Sequence, residues 1–335
     1  MLDLKAKLNK IRTDTRLANE GQRILQKSKG LLFALFRTAI LIGLSYVILG
    51  PLIGIVANSF FSNADKYSPI VYLIPQNPTL ERYRLAIIRM DYWNVLRNML
   101  IYVATLTVIQ VMICSLVGYG FARYNFPFKK LLFACVIIMI VIPPHSVMLP
   151  VYLTFQNFNP LAIIFDPFGF FGFFGDIQGP NLLQGIAPMY IMSLLGTGLR
   201  AGLYIYIFNQ FFRGLPKEIE EASAIDGAGA VYTYFRIMLP NAIPSIITVT
   251  IFSIVWQYND TFFSRLFLTP DTVVLGKKIS SLQANIMTND RIFDPAISAL
   301  YLYAGIVLVI IPVVILYVIL QKQFIEGVER SGIVG

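Results

Sequence analysis

The residue types able to do chemistry gather in one polar stretch between long apolar runs: Gly214-Leu215-Pro216-Lys217-Glu218-Ile219-Glu220-Glu221-Ala222-Ser223-Ala224-Ile225-Asp226-Gly227-Ala228-Gly229-Ala230. The stretch reads as a short capped helix. Pro216 suits the first helical position, Glu218, Glu220 and Glu221 sit where the N-terminal dipole favours negative charge, and Gly227 can take the left-handed stop. Ile219, Ala222 and Ile225 recur every three residues as a thin apolar face. The surrounding Ala222, Ser223, Ala224, Gly227, Ala228, Gly229 and Ala230 are small enough for another surface to approach the backbone. That chemistry is docking rather than bond-making, although an ordinary loop helix resting on a membrane would read the same way. No nucleophile with a base, and no facing pair of acids, stands elsewhere as an enzyme site. The sequence contains no G-x-x-x-x-G-K-[ST] phosphate loop, and its one histidine, His145, belongs to no cluster with metal-ligand spacing. Cys114 and Cys135 both lie inside apolar runs, which reads as core packing rather than a disulfide framework.

The elements that must position this stretch are membrane helices. Of the 335 residues, 56% are hydrophobic and 13% charged, and the mean hydropathy is +0.67; a soluble domain carries about 25% charged residues. Six runs approach the roughly 20 apolar residues a crossing needs: 38–59, 98–121, 131–153, 188–210, 242–263 and 297–320. Six crossings put both termini on one side. The basic residues of segment 1–30, Arg123 with Lys129 and Lys130, Arg213 with Lys217, and Lys322 with Arg330 share that side, which the positive-inside rule makes cytoplasmic. Segment 1–30 reads either as an interfacial amphipathic helix, with Leu4, Leu8 and Ile11 on one face, or as a solvated basic tail. Residues 31–335 read as one membrane domain. The excess of basic residues therefore serves orientation and not nucleic-acid binding. Pro51, Pro143, Pro144, Pro150 and Pro312 invite kinks within the crossings. Arg200 and Asp260 stand at membrane depth, where a charge is costly unless it faces a cavity or a partner; Arg200 is expected to pair with an acid or to meet substrate hydroxyls. Tyr204 and Tyr206 on the fourth crossing, with Trp256, Tyr258 and Asn259 on the fifth, are candidate lining groups for a solute with rings and hydroxyls.

The polar stretch resembles the EAA loop of type I ABC importer permeases, whose pattern is Glu-Ala-Ala, three residues, Gly, nine residues, Ile, any residue, Leu-Pro. Here Glu221-Ala222-Ser223 is followed by Gly227 and then by Ile237-Met238-Leu239-Pro240, with Ser223 in place of the second alanine. The likeness extends along most of the chain and is strongest to carbohydrate-uptake permeases of the maltose-importer type. It includes Thr79-Leu80-Glu81-Arg82-Tyr83 with Arg97-Asn98, Gly118-Tyr119-Gly120-Phe121-Ala122-Arg123-Tyr124, Pro143-Pro144 with Leu149-Pro150-Val151-Tyr152, Gln210-Phe211-Phe212, Trp256-Gln257-Tyr258-Asn259-Asp260, and Gln323-Phe324 with Gly327. Two features depart from that family: a longer 156–184 segment, and Val334 where a Lys often precedes the last Gly.

The resemblance implies an all-α integral membrane protein of six transmembrane helices with the type I ABC importer permease fold and cytoplasmic termini. It also implies a second homologous permease, two ATP-binding-cassette ATPase subunits, an extracellular solute-binding protein and a carbohydrate substrate, in a bacterial cell membrane. ATP and Mg would be used by the ATPase subunits, with no cofactor bound by this chain. In the coupling loop, 214–240, the resemblance assigns polar anchoring in the ATPase cleft to Glu220, Glu221 and Asp226, and close approach to Ala222 and Gly227; Pro240 closes the motif. Competing readings are a permease of the same class for amino acids, metals or phosphate, a secondary transporter with an ion path, and a membrane-embedded transferase.

Overall fold

The computed structural model describes residue 30 and residues 33–160, 179–183, 185–268 and 274–332, with side chains described up to 319 and at 321 and 322. The basic segment 1–30 (save residue 30), most of the 156–184 segment and the side chains of the 323–335 tail therefore lie outside the described residues. The chain divides into two units, residues 1–78 and 79–335.

The first unit holds α1 (Phe33–Ser59) and α2 (Asn63–Tyr67). Its large apolar side chains, among them Phe33, Ile42, Val47 and Ile53, are exposed along α1. A helix that exposes apolar side chains on every side along most of its length suits a lipid surrounding. Beyond it Ser62 caps α2 and the Asp65 carboxylate accepts from the backbone of Ser62, Gln76 and Asn77. Burial by itself would raise the Asp65 pKa, but these hydrogen bonds outweigh it and hold the carboxyl below its usual range.

The second unit runs α3 (Glu81–Met90), α4 (Tyr92–Arg123), α5 (Lys129–Val141), a 3-10 turn at Pro144–Val147, and α6 (Met148–Gln156). There follow α7 (Ala187–Leu194), α8 (Ala201–Gly214), α9 (Glu218–Ile225), α10 (Ala230–Asn241), α11 (Ile243–Asn259), α12 (Phe262–Phe267), α13 (Leu275–Asn289) and α14 (Pro295–Gly332). Its centre is α4 against α8, with α11 and α7 alongside. Tyr204, Phe208 and Phe212 of α8 pack on Cys114, Tyr119 and Phe121 of α4 and on Tyr234 and Met238 of α10. Gly118 makes that approach possible, since a Cβ there would stand 2.6 Å from Phe208 Cβ.

Among the described residues three helices are long and apolar enough to cross a membrane alone: α1, α4 and α14. Two bent pairs qualify as well: α5 with the 144–156 helix, turning 109°, and α10 with α11, turning 76°. Pro143 and Pro144 account for the first bend, because they withdraw N–H donors where the helix would continue. Pro312, by contrast, is accommodated inside continuous α14. The run 188–210, expected as one crossing, is corrected to two pieces, α7 and α8 of 8 and 14 residues, each too short to cross alone. The break falls at Leu195 to Arg200, where Gly196 (φ 70°) and Arg200 (φ 60°) take left-handed conformations that a helix cannot contain.

Candidate functional site

At one end of α4 the polar loop forms as expected in outline. Glu218, Glu220 and Glu221 occupy the first turn of α9, and Gly227 turns the chain with φ 78°. The faces differ from the expected stripe. Ile219 and Ser223 point into the protein, whereas Ala222 is exposed and Ile225 is 86% exposed. A helix advances about 100° per residue, so 219, 222 and 225 drift round it and cannot all be covered by one wall.

The three acids also separate. Glu220, to which the resemblance assigns anchoring in the ATPase cleft, instead turns inward, away from the surface that Glu221 and Asp226 present: its Oε1 accepts from the Tyr119 hydroxyl at 2.7 Å and its Oε2 lies 3.4 Å from Arg123 Nε. Arg123 Nη2 donates to the Leu215 carbonyl at 2.8 Å, pinning the entry to α9. Glu221, Asp226 and Gly227 remain exposed. The far side of the loop is closed by Ser223 and Thr233, whose hydroxyls are 2.8 Å apart, and by Ala228 N–H on the Ser223 carbonyl. Next to it a groove of about 600 Å³ is bordered by Asp226, Gly227, Tyr232 and Arg236. Pro240 is exposed in the last turn of α10, just ahead of the bend into α11. The outward surface is thus small, partly apolar and acidic.

Further along α4 stands a second polar centre. Gln110, fully buried, accepts from Ser253 of α11 at 2.8 Å and donates to the Leu199 carbonyl at 3.2 Å; the Ser253 and Thr107 hydroxyls are 3.1 Å apart. Leu199 belongs to the break between α7 and α8, so these side chains satisfy a carbonyl that a continuous helix would have satisfied itself. Arg200, the next residue, lays its guanidinium over the Trp256 ring, 4.2 Å from the centroid. Among the described residues no carboxylate pairs with it, and its Nε is buried without a hydrogen-bond partner. The acid pairing expected for Arg200 is therefore replaced by an aromatic face, which attracts a cation through the ring quadrupole. A cavity of about 450 Å³ opens beside the break, walled by Ile138, Met139, Leu195 and Phe263 among others, with Arg200 as its charged member.

Of the seven residues expected to line a path, Arg200 and Trp256 meet, and Trp256 stays 40% exposed. Tyr206 is half-buried and stacks on Phe133. Tyr204 is fully buried, its hydroxyl turned toward the Ser253 side chain and not toward open space. Tyr258 is buried and donates to the Val309 carbonyl of α14. Asn259 is exposed and donates back to Val255, and Asp260 accepts the N–H groups of Phe262, Phe263 and Ser264 as a cap for α12. Sequence reasoning passed over Gln110 and Ser253, although an amide in the middle of an apolar run is itself a signal. It counted Arg123 as an orientation charge and missed its role in the loop.

Comparison with known proteins agrees with this architecture. The family of binding-protein-dependent transport system inner membrane components matches residues 110–330. The chain is 24% identical over 299 residues to a diacetylchitobiose uptake system permease of Streptomyces coelicolor, covering 89% of this chain and 88% of that one. It is 25% identical over 295 residues to an arabinooligosaccharides transport system permease of Halalkalibacterium halodurans, covering 87% and 93%. A crystal structure of a bacterial ABC transporter involved in the import of the acidic polysaccharide alginate has a chain that superposes with a TM-score of 0.69 at 19% identity, over 88% of this chain and 96% of that one. With its spaced polar loop beside broken, bent membrane helices, the chain belongs to the family of binding-protein-dependent transport system inner membrane components, the permease subunits of ABC importers.

Proposed function

We propose that this permease carries an oligosaccharide across a bacterial cytoplasmic membrane, as one of two related subunits that together form the path. Supporting the substrate class are the relatives named for diacetylchitobiose and arabinooligosaccharides and the aromatic and guanidinium pairing of Trp256 with Arg200. An indole face suits a sugar ring, and guanidinium donors suit its hydroxyls. In this reading the chain crosses six times with both termini in the cytoplasm, the split 187–214 segment supplying one crossing. An extracellular binding protein delivers the solute, and two ATPase subunits hydrolyse ATP with Mg, this chain having no nucleotide site of its own.

The observation that carries the reading is the loop itself: Glu221, Ala222, Ile225, Asp226 and Gly227 face outward together on a helix whose opposite side is fastened to α4. Closure of the ATPase pair moves that helix, and the permease pair exchanges between two arrangements. The test is reconstitution with the partner permease, ATPase and binding protein, scored for uptake of labelled oligosaccharides, amino acids and divalent metals. Wild type is expected to take up oligosaccharide alone. Gly227→Trp, which places a bulky ring on the docking surface, is expected to weaken ATPase binding about tenfold or more, since overpacking costs about 1–3 kcal/mol or more. Uptake of an amino acid or a metal in place of any carbohydrate would overturn the substrate class, and full ATPase binding by Gly227→Trp would overturn the coupling role of the loop.

A further inference from the structure

The geometry points to Tyr119, Arg123 and Glu220 as the linkage that carries displacement of the coupling helix into the membrane domain, through α4 acting as a rod. This inference rests on the importer reading above but concerns residues facing into the protein and not the docking surface. Tyr119 and Arg123 are four residues apart and share one face of α4. Glu220 accepts a hydrogen bond from Tyr119 and lies in ion-pair range of Arg123 without a hydrogen bond to its Nε; the Arg123 side chain is 6% exposed and that of Glu220 22%, so the guanidinium is the member withdrawn from water. Parting the pair leaves the buried Arg123 charge without a counter-charge, which a site so far from water resists. The Arg123 bond to the Leu215 carbonyl adds a second grip at the start of the loop. Tyr119 also packs its ring on Tyr234 at 5.2 Å, and Tyr234 meets Ser115 by a 2.7 Å hydroxyl contact, which fastens the return of the loop to the same helix. Both ends of the loop are therefore held by α4.

What α4 does with the displacement follows from its build. It is a continuous helix of 32 residues without proline, so it lacks the usual cause of a kink. About 20 Å up the rod from Arg123, at 1.5 Å per residue, Gln110 grips the Leu199 carbonyl directly before Arg200. Space there is tight, since a Cβ on Gly198 would stand 2.7 Å from Gln110 Nε2 and 2.8 Å from Ser193 Oγ. A shift of the rod must move the break that presents Arg200 to Trp256. Tyr119, Arg123 and Gln110 are thus positioning residues, acting on the path through the helix.

The test uses the assembled transporter in proteoliposomes with Arg123→Gln, Glu220→Gln, the double variant, and Tyr119→Phe, which removes one hydroxyl while keeping the ring. Two quantities are read: ATPase subunit retained on the purified complex, and sugar imported per ATP hydrolysed. The expected result is retention of the ATPase, because the outward face of the loop is unaltered, with sugar per ATP lowered about fivefold or more, the scale of a coupling free energy. The double variant should be no worse than the poorer single variant, since a linkage once cut cannot be cut again. Tyr119→Phe should lower the ratio in the same direction. If all variants import sugar at the wild-type ratio, if the ATPase is lost together with transport, or if the two single effects simply add, the linkage is overturned. Failure of the wild-type assembly to import any oligosaccharide would instead strike the functional reading, so the two failures are separable.

Discussion

Single glycines show how narrowly the α4 and α8 surfaces are matched. Gly118 has Phe208 Cβ, the Asn209 nitrogen and the Ile205 carbonyl within 3.0 Å of where a Cβ would stand, whereas Gly120, two residues on, has nothing within 4 Å. Two of the three atoms near Gly118 are backbone, so the neighbour cannot yield by a rotamer change. Gly118→Val is expected to destabilise the purified protein by about 1–3 kcal/mol or more, and Gly120→Ala to be neutral or slightly stabilising, as replacement of a helix-interior glycine commonly is. Thermal unfolding in detergent distinguishes the two. From the sequence both glycines belong to one motif, Gly118-Tyr119-Gly120. Which of them a partner helix touches depends on the crossing of α4 and α8, and no local pattern encodes it.

At the scale of elements, turn and breaker residues decide most of the shape. Pro143 and Pro144 announce the 109° bend after α5, and the acids of the first turn and the left-handed Gly227 stand where expected because both act locally, whereas Pro216 falls ahead of the helix and not at its first position. The break between α7 and α8 is legible in the sequence as Gly196-Thr197-Gly198, yet an apolar average over 188–210 conceals it. Asp260 illustrates the reverse case. A carboxylate at membrane depth reads as a substrate group, but here it receives three backbone N–H groups and the Ser264 hydroxyl. Asp260→Ala is expected to cost about 1–2 kcal/mol through loss of that cap, lowering thermal stability while leaving the substrate concentration for half-maximal uptake unchanged. A shift in that concentration at unchanged stability would return Asp260 to the translocation path.

For the whole molecule, the orientation proposed above has a direct test. With Cys114 and Cys135 replaced by Ser, a cysteine at Tyr72, an exposed residue beyond α1, is expected to react with an impermeant thiol reagent added outside cells. A cysteine at exposed Gly229, shortly after α9, should react only after the membrane is opened; the opposite pattern would invert the topology. By itself the sequence determined the membrane class, the apolar runs, the short acidic helix of the polar loop and the family, since each rests on composition or on short-range spacing along one segment. Only the tertiary structure decided that Glu220 faces Tyr119 and Arg123 while Glu221 faces out, that Arg200 rests on Trp256 instead of on an acid, and that Gln110 holds the carbonyl of Leu199. Each of those pairings joins residues 56 to 101 positions apart or sorts neighbours on one helix between inside and outside. That sorting follows from where another helix lies, which is a property of packing and not of spacing.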